Sequence, residues 1–75
     1  MDILHVNAHW DPEARVWWAQ SDEVPGLVAE TKTHEGLIIE LRALVPALLA
    51  MNRPEMKGGV SLRIVSEQVE EVRFT

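Results

Sequence analysis

The chain has 75 residues, no cysteine, and a net charge of −5 from seven basic and twelve acidic side chains. A chain of this length forms one domain, so we expect a single domain over residues 1–75. The lack of cysteine excludes a disulfide framework and a thiolate metal site. The acidic balance argues against direct binding of nucleic acid, because phosphate backbones are bound by basic surfaces.

Size and hydropathy also bear on assembly and location. A domain this small buries only about 60% of the surface of its unfolded chain, and oligomerisation is a common way to support such a core. We therefore expect a homodimer. No apolar run approaches the roughly 20 residues of a membrane span. The first residues lack the basic and apolar regions of a signal peptide, so we expect a cytoplasmic protein without membrane contact.

The first predicted element is a strand from Ile3 to Trp10. Its residues alternate between an apolar face and a polar face, which indicates a strand with one buried side. The apolar face holds Leu4, Val6, Ala8 and Trp10, and the polar face holds His5, Asn7 and His9. The sequence Asp11-Pro12-Glu13-Ala14 is typical of a turn. We expect it to lead into a second strand from Arg15 to about Gln20.

Two adjacent tryptophans, Trp17 and Trp18, lie in this second strand. Neighbouring residues of a strand point to opposite faces, so only one indole can join the core. We expect the other to pack against a partner or a loop. Because both faces of the strand are apolar, the sequence leaves the choice between them open.

The next connection runs from Ser21 to Gly26, and Pro25-Gly26 fits the central pair of a type II turn. A short third strand is then predicted to begin at Leu27 and to end near Glu30 or Thr31.

A helix from Thr33 to about Asn52 is the strongest prediction. Its large aliphatic residues recur on one stripe of a 3.6-residue period, as in a helix that lies across a sheet. These residues are Leu37, Ile38, Leu41, Leu44, Val45, Leu48 and Leu49. Thr33 is a suitable N-cap, and Gly36 costs about 1 kcal/mol relative to alanine. Because the stripe continues past Pro46, we expect one kinked helix rather than two.

After a loop from Met51 to Gly59, the alternation of Val60, Leu62 and Ile64 with polar residues predicts a fourth strand. The remainder, Gln68 to Thr75, fits an edge strand or a short helix followed by a strand. The order β-β-β-α-β(-β) predicts an α+β fold, in which one helix packs on a mostly antiparallel sheet. Short connections predict that the first three strands form a meander.

The residues do not indicate an enzyme, a cofactor or a metal site. His5 and His9 share a strand face but lie about 13 Å apart, too far to bind one ion. Several carboxylates cluster near strand ends, where turns are normally solvated, and solvated carboxylates do not form an acid–base pair. They are Asp11, Glu13, Asp22, Glu23 and Glu30. The chain contains no nucleophile elbow or glycine-rich phosphate loop, and its tryptophans lack the basic groove of a nucleic-acid stacking site.

The stretch from Trp10 to Thr33 resembles a small family of uncharacterised bacterial proteins with the signature W-D-x-E-A-x-V-W-x-A-x-S-D-D-x-P-G-L-x-x-E-A-x-T. The matching residues are Trp10, Asp11, Glu13, Ala14, Val16, Trp17, Ala19, Ser21, Asp22, Pro25, Gly26, Leu27, Glu30 and Thr33. Glu23 and Thr31 depart from the signature. A looser match continues through the leucine-rich helix.

This family is similar in shape to HicB-like antitoxins, whose domain is a reduced relative of the ribonuclease H fold. The resemblance implies a non-enzymatic protein-binding module that neutralises a small HicA-type mRNA-cleaving toxin. HicB antitoxins usually carry an additional DNA-binding segment. No counterpart of that segment is found before Thr75, so repression of an operon is not expected. The alternative is a stand-alone homodimeric domain without a toxin partner, which associates through the exposed tryptophan.

Under either reading we place the candidate interface on the exposed tryptophan and on the connection after the second strand. The candidate residues are Trp17, Trp18, Ser21, Asp22, Glu23, Pro25 and Gly26. The competing interpretation is that this connection is only a well-formed turn.

Overall fold

The computed structural model describes residues 2–74. In this part of the chain four strands and one helix follow the order β1, β2, β3, α1, β4. Their bounds are β1 Asp2–Asp11, β2 Val16–Gln20, β3 Ala29–Thr31, α1 His34–Asn52 and β4 Val60–Glu67. The helix packs on one face of a four-stranded sheet. The predicted α+β fold is confirmed.

The sheet has the order β3-β2-β1-β4. β1 and β2 pair antiparallel, as do β2 and β3, so the predicted meander is confirmed. β4 returns to the other side of β1 and pairs parallel to it, which makes the sheet mixed. The sheet therefore has two different edges: β3 is three residues long and β4 is eight.

The predicted starts of β2 and β3 are wrong for local reasons, and the element predicted after β4 is absent from the described residues. β2 begins at Val16 because Arg15, at a φ of 58°, completes the hairpin turn; its N–H donates to the Asp11 carbonyl at 2.7 Å. β3 begins at Ala29 because Leu27 still belongs to the preceding turn, where its N–H donates to the Val24 carbonyl at 3.2 Å. Residues 68–74 form neither helix nor strand, and Thr75 lies outside the described residues.

Helix α1 agrees closely with its prediction. Thr33 is the N-cap, and its Oγ1 accepts a hydrogen bond from the Gly36 amide at 2.9 Å. At the other end, the Arg53 amide donates to the carbonyl of Leu49 at 2.8 Å. The helix continues through Pro46, which confirms one helix rather than two.

The core lies between α1 and the sheet. Strands β1, β2 and β3, the 21–28 connection and α1 all contribute buried side chains, and none of the buried residues described is polar or charged. The buried set is Leu4, Val6, Ala8, Ala19, Val24, Leu27, Ala29, Leu37, Leu41, Val45 and Leu49.

The helix is not centred over the sheet. Its backbone lies near β3 and β2, whereas β4 is paired only with β1. Consequently Val60, Leu62 and Ile64, which face the helix layer, are only half-buried. The N-terminal end of α1 is nevertheless joined to the far end of β4 by a 2.6 Å hydrogen bond between His34 Nε2 and Ser66 Oγ.

Candidate protein-binding face

The structure decides between the two adjacent tryptophans. Trp17 lies on the helix side of the sheet, where it packs against the core and meets the His34 ring edge-on at 4.8 Å. It is also directly opposite Trp10, with ring centroids 5.7 Å apart. Trp18 lies on the opposite face, is 36% exposed and stacks on His9 at 4.5 Å. Trp18 is therefore the outward-facing indole.

We call the face of the sheet opposite α1 the outer face. No strand or helix within residues 2–74 covers it. Alternation along the strands and the registers between them define its members. They are Ile3, His5, Asn7, His9, Asp11, Val16, Trp18, Gln20, Glu30, Ser61, Arg63, Val65 and Glu67.

One row of the outer face combines aromatic rings with carboxylates. Trp18 is directly opposite His9 on β1 and Glu30 on β3, and His9 is opposite Glu67 on β4. At about 4.8 Å between strands, the four positions span about 14 Å. We call Glu30, Trp18, His9 and Glu67 the acidic–aromatic row. It offers a flat stacking surface with a negative charge at each end.

His9 carries an unsatisfied polar atom. Its Nε2 is buried and has no hydrogen-bond partner among the described residues. A buried imidazole nitrogen without a partner lowers stability, since it has lost its bond to water. The ring borders a cavity of about 450 Å³ that also touches Trp10, Pro12 and Glu67. This end of the row therefore has both space and an unused hydrogen-bonding group.

The predicted interface loop is tied to β1 by hydrogen bonds. Ser21 Oγ donates to the His5 carbonyl at 2.6 Å and accepts from the amides of Glu23 and Val24 at 3.0 and 3.2 Å. The Glu23 carboxylate accepts from the His5 amide at 2.7 Å and lies 2.8 Å from His5 Nδ1. The hydrogen bond from the His5 backbone amide, more than the one with the His5 imidazole, lowers the pKa of Glu23 below its ordinary value.

The same loop is also held by the end of α1. Asn52 Nδ2 donates to the Pro25 carbonyl at 3.3 Å. Gly26 has a φ of 81°, as the predicted type II turn requires, and a Cβ there would lie 3.5 Å from Leu48 Cδ2. The Asn52 hydrogen bond and the glycine turn stabilise the loop, so its residues have structural roles whether or not a partner binds them.

The predicted site residues thus divide into three groups. Trp17 is half-buried and packs against the core, and Trp18 lies on the outer face. Ser21 and Glu23 join the loop to β1, Pro25 joins it to α1, Gly26 forms the turn, and the neighbouring Asp22 is exposed. Only Trp18 lies in the acidic–aromatic row.

Sequence reasoning missed the neighbours of Trp18. Alternation along β1 already placed His9 on the outer face, but its stacking on Trp18 depends on the β1–β2 register. Glu30 and Glu67 are 37 positions apart, and only the strand order brings them to opposite ends of one row. A local pattern carries no signal of such a row.

Residues 2–74 also lack two features that would indicate other functions. They contain no group of three or more histidine, aspartate or glutamate side chains arranged to hold a metal ion. No helix in the same range has the length and apolar character needed to cross a membrane.

Comparison with known families shows the family to which the chain belongs. Residues 3–75 match a family described as "Domain of unknown function (DUF1902)". The chain is a member of the DUF1902 family. This DUF1902 chain is also similar to the hypothetical protein TTHA1013 from the extremely thermophilic bacterium Thermus thermophilus. The TTHA1013 crystal structure has a TM-score of 0.77 and 43% identity, and the match covers 96% of this chain and 99% of that one. No curated protein matches the DUF1902 chain.

Membership of DUF1902 confirms the expectation of a small family of unknown function. The similarity to TTHA1013 covers nearly the whole of both chains, so it applies to the complete sheet and helix.

Proposed function

We propose that this DUF1902 chain is a non-enzymatic protein-binding module of the antitoxin type, which neutralises a small HicA-type mRNA-cleaving toxin by covering it. The observation that carries the proposal is the acidic–aromatic row, which crosses all four strands of the uncovered sheet face near the Glu67 end of β4. The likeness of the Trp10–Thr33 signature to the HicB-like group supplies the class of partner. Because such a toxin acts on mRNA, the proposal also places the protein in the cytoplasm.

The chemistry of the row suits a basic protein surface. An arginine or lysine of the partner can stack on the exposed face of Trp18, and such a contact is strengthened when water is excluded. Glu30 and Glu67 can then accept charge-assisted hydrogen bonds on either side. Tryptophan at the centre of an interface is typical of the residues that contribute most binding energy.

The overall charge supports the same partner. An mRNA-cleaving enzyme needs a basic surface to hold its substrate, because RNA is a polyanion. A module with a net charge of −5 attracts such a surface and increases the rate of association. By occupying it, the module would exclude RNA without any catalytic step of its own.

The test is a growth assay with a binding measurement. A HicA-type toxin from the host genome is expressed with the chain, and the purified pair is measured by calorimetry. We expect the wild type to restore growth, and Trp18→Ala and Glu30→Lys each to weaken binding by about tenfold or more. Ile39→Ala is the control, because Ile39 is 60% exposed on α1, away from the outer face.

Three results would contradict the proposal. The first is a wild-type chain that neither binds the toxin nor restores growth. The second is full protection by Trp18→Ala, which would show that the row is not the contact surface. The third is a loss of protection by Ile39→Ala equal to that of Trp18→Ala, which would place the contact on the helix. Circular dichroism of each variant excludes unfolding as the cause.

A further inference from the structure

The two edges of the sheet differ in a way that points to self-association. β3 is short, which is a common way to prevent strands from pairing at an edge. β4 has eight residues, includes Val60, Leu62, Ile64 and Val65, and has a strand on only one side in the described chain. A long apolar edge strand is a site at which another strand adds.

An apolar groove runs beside this edge because α1 does not cover β4. Its main part has a volume of about 390 Å³ and lies between Ile38, Val45 and Pro46 of α1 and Leu62 and Ile64 of β4. A second part of about 330 Å³ shares Pro46 and Val60 with the first. It continues past the start of β4 and is completed by Leu49, Ala50, Met56 and Gly59.

The chain also carries a segment whose apolar side chains are exposed, although Val69, Glu70 and Glu71 border the cavity beside His9 and Trp10. In residues 68–74, which follow β4, Val69, Val72 and Phe74 are 80%, 74% and 93% exposed. The radius of gyration is 14.3 Å, against about 11 Å for a compact domain of this length. The molecule is 56 Å long but only 20 by 18 Å across, as expected for a segment that projects from the body.

We infer that a second copy of this chain binds at the β4 edge, so that the two β4 strands pair antiparallel about a two-fold axis and each 68–74 segment enters the groove of the other copy. Such an interface is isologous, because the same edge, groove and segment serve in both copies. The proposal goes beyond the toxin-binding role, and Trp18 stays uncovered when the dimer forms.

Direction along the strand supports this occupant. Residues 68–74 leave the Glu67 end of β4, whereas the groove extends toward and beyond the Val60 end. To reach its own groove the segment would have to reverse at once. In an antiparallel pair, however, the Glu67 end of one strand meets the Val60 end of the other. The segment of each copy therefore reaches the second groove part of its neighbour.

One register satisfies both charge and side-chain direction. With Val65 on the two-fold axis, Arg63 of each copy is directly opposite Glu67 of the other, which gives two opposite-charge pairs on the outer face. Directly opposite residues share a face, so Val72 and Phe74 lie on the groove side, opposite Gly58 and Met56. A register with Arg63 on the axis would instead bring two guanidinium groups together.

Cysteine cross-linking tests the register, because the chain has no cysteine of its own. Val65→Cys should form a disulfide-linked dimer on mild oxidation, since opposite Cα atoms lie within the roughly 7 Å limit. Arg63→Cys and Glu67→Cys should each stay unlinked, because each residue is about 13 Å along the strand from its own copy. Mixing these two variants should give the linked heterodimer.

Sedimentation velocity of the full chain tests the segment. We expect a dimer, and we expect the double variant Val72→Ser and Phe74→Ser to raise its dissociation constant about tenfold or more. These residues are exposed within one copy, so the variant should fold normally. Val28→Ser, at a residue 82% exposed in the β2–β3 connection, is the control and should leave the dimer unchanged.

Each contrary result overturns the inference. A wild-type chain that stays monomeric at every concentration removes the dimer. A dimer that the double variant leaves intact removes the role of the 68–74 segment. Self-linking of Arg63→Cys without linking of Val65→Cys removes the register. Toxin binding is read separately through Trp18→Ala, so failure here leaves the proposed function untouched.

Discussion

Replacing Gly36 by alanine should not stabilise α1, although helix propensity alone predicts a gain of about 1 kcal/mol. The reason is a close approach at the N-cap. A Cβ on Gly36 would lie 2.9 Å from Thr33 Oγ1, closer than real Cβ atoms come to other heavy atoms. That oxygen is the acceptor of the Gly36 amide, so it would have to move away from the donor that it caps.

The two contributions are similar in size. Loss of a threonine N-cap costs about 1 kcal/mol, which offsets the propensity gain and leaves Gly36→Ala near zero or destabilising. In a Thr33→Ala background the obstructing oxygen is absent, and Gly36→Ala should then stabilise by up to about 1 kcal/mol. In a Thr33→Ser background the oxygen is retained, so the substitution should again bring no gain. The coupling between the two sites is therefore about 1 kcal/mol.

Urea unfolding followed by tryptophan fluorescence measures these differences. All variants are compared at one protein concentration, because self-association would make stability depend on it. A change in the midpoint at constant slope then reports a change in stability. If Gly36→Ala stabilises by about 1 kcal/mol whether or not Thr33 keeps its hydroxyl, the close approach to the cap is not the reason for glycine.

Two other predictions concern the loop and the helix. The pKa of Glu23 is lowered from its ordinary value of 4.5, so its carboxylate stabilises the fold above pH 4.5. That stabilisation is lost as the pH falls through the lowered pKa. Glu23→Gln lacks this carboxylate and should therefore lose less stability than the wild type on acidification. Urea midpoints at neutral and acid pH measure this loss of stability. Glu40→Gln, on the exposed side of α1, is the control. Equal acid sensitivity in wild type and Glu23→Gln would refute the prediction. Pro46→Ala should stabilise the fold by about 1–3 kcal/mol, because it restores a helical amide at an exposed position within continuous helix; a lower urea midpoint would show instead that the proline is required.

Much of the fold follows from local sequence patterns. The aliphatic stripe of α1 and the alternation along β1 state which face of each element is apolar, and hydrophobic burial then orients that face inward. Thr33 and Pro25-Gly26 act through the backbone groups beside them, so their cap and turn could be predicted without the rest of the chain. These predictions hold because their causes lie within a few residues.

The candidate site could be predicted only in part. The sequence requires that one of Trp17 and Trp18 face outward, since adjacent strand residues point to opposite faces. It cannot say which, because Val16 and Ala19 leave both faces of β2 apolar. The choice is made by the pairing of Trp17 with Trp10, because Trp10 lies on the face of β1 that packs against the helix.

By itself, then, the sequence determined one acidic domain, its helix, its turns and the apolar face of each strand. Only the tertiary structure decided that β4 lies parallel beside β1 at an exposed edge, and that His9, Trp18, Glu30 and Glu67 share a row. The physical reason is the range of the interactions. Periodicity and backbone hydrogen bonding act between near neighbours, whereas strand order and register depend on contacts between residues far apart in the chain.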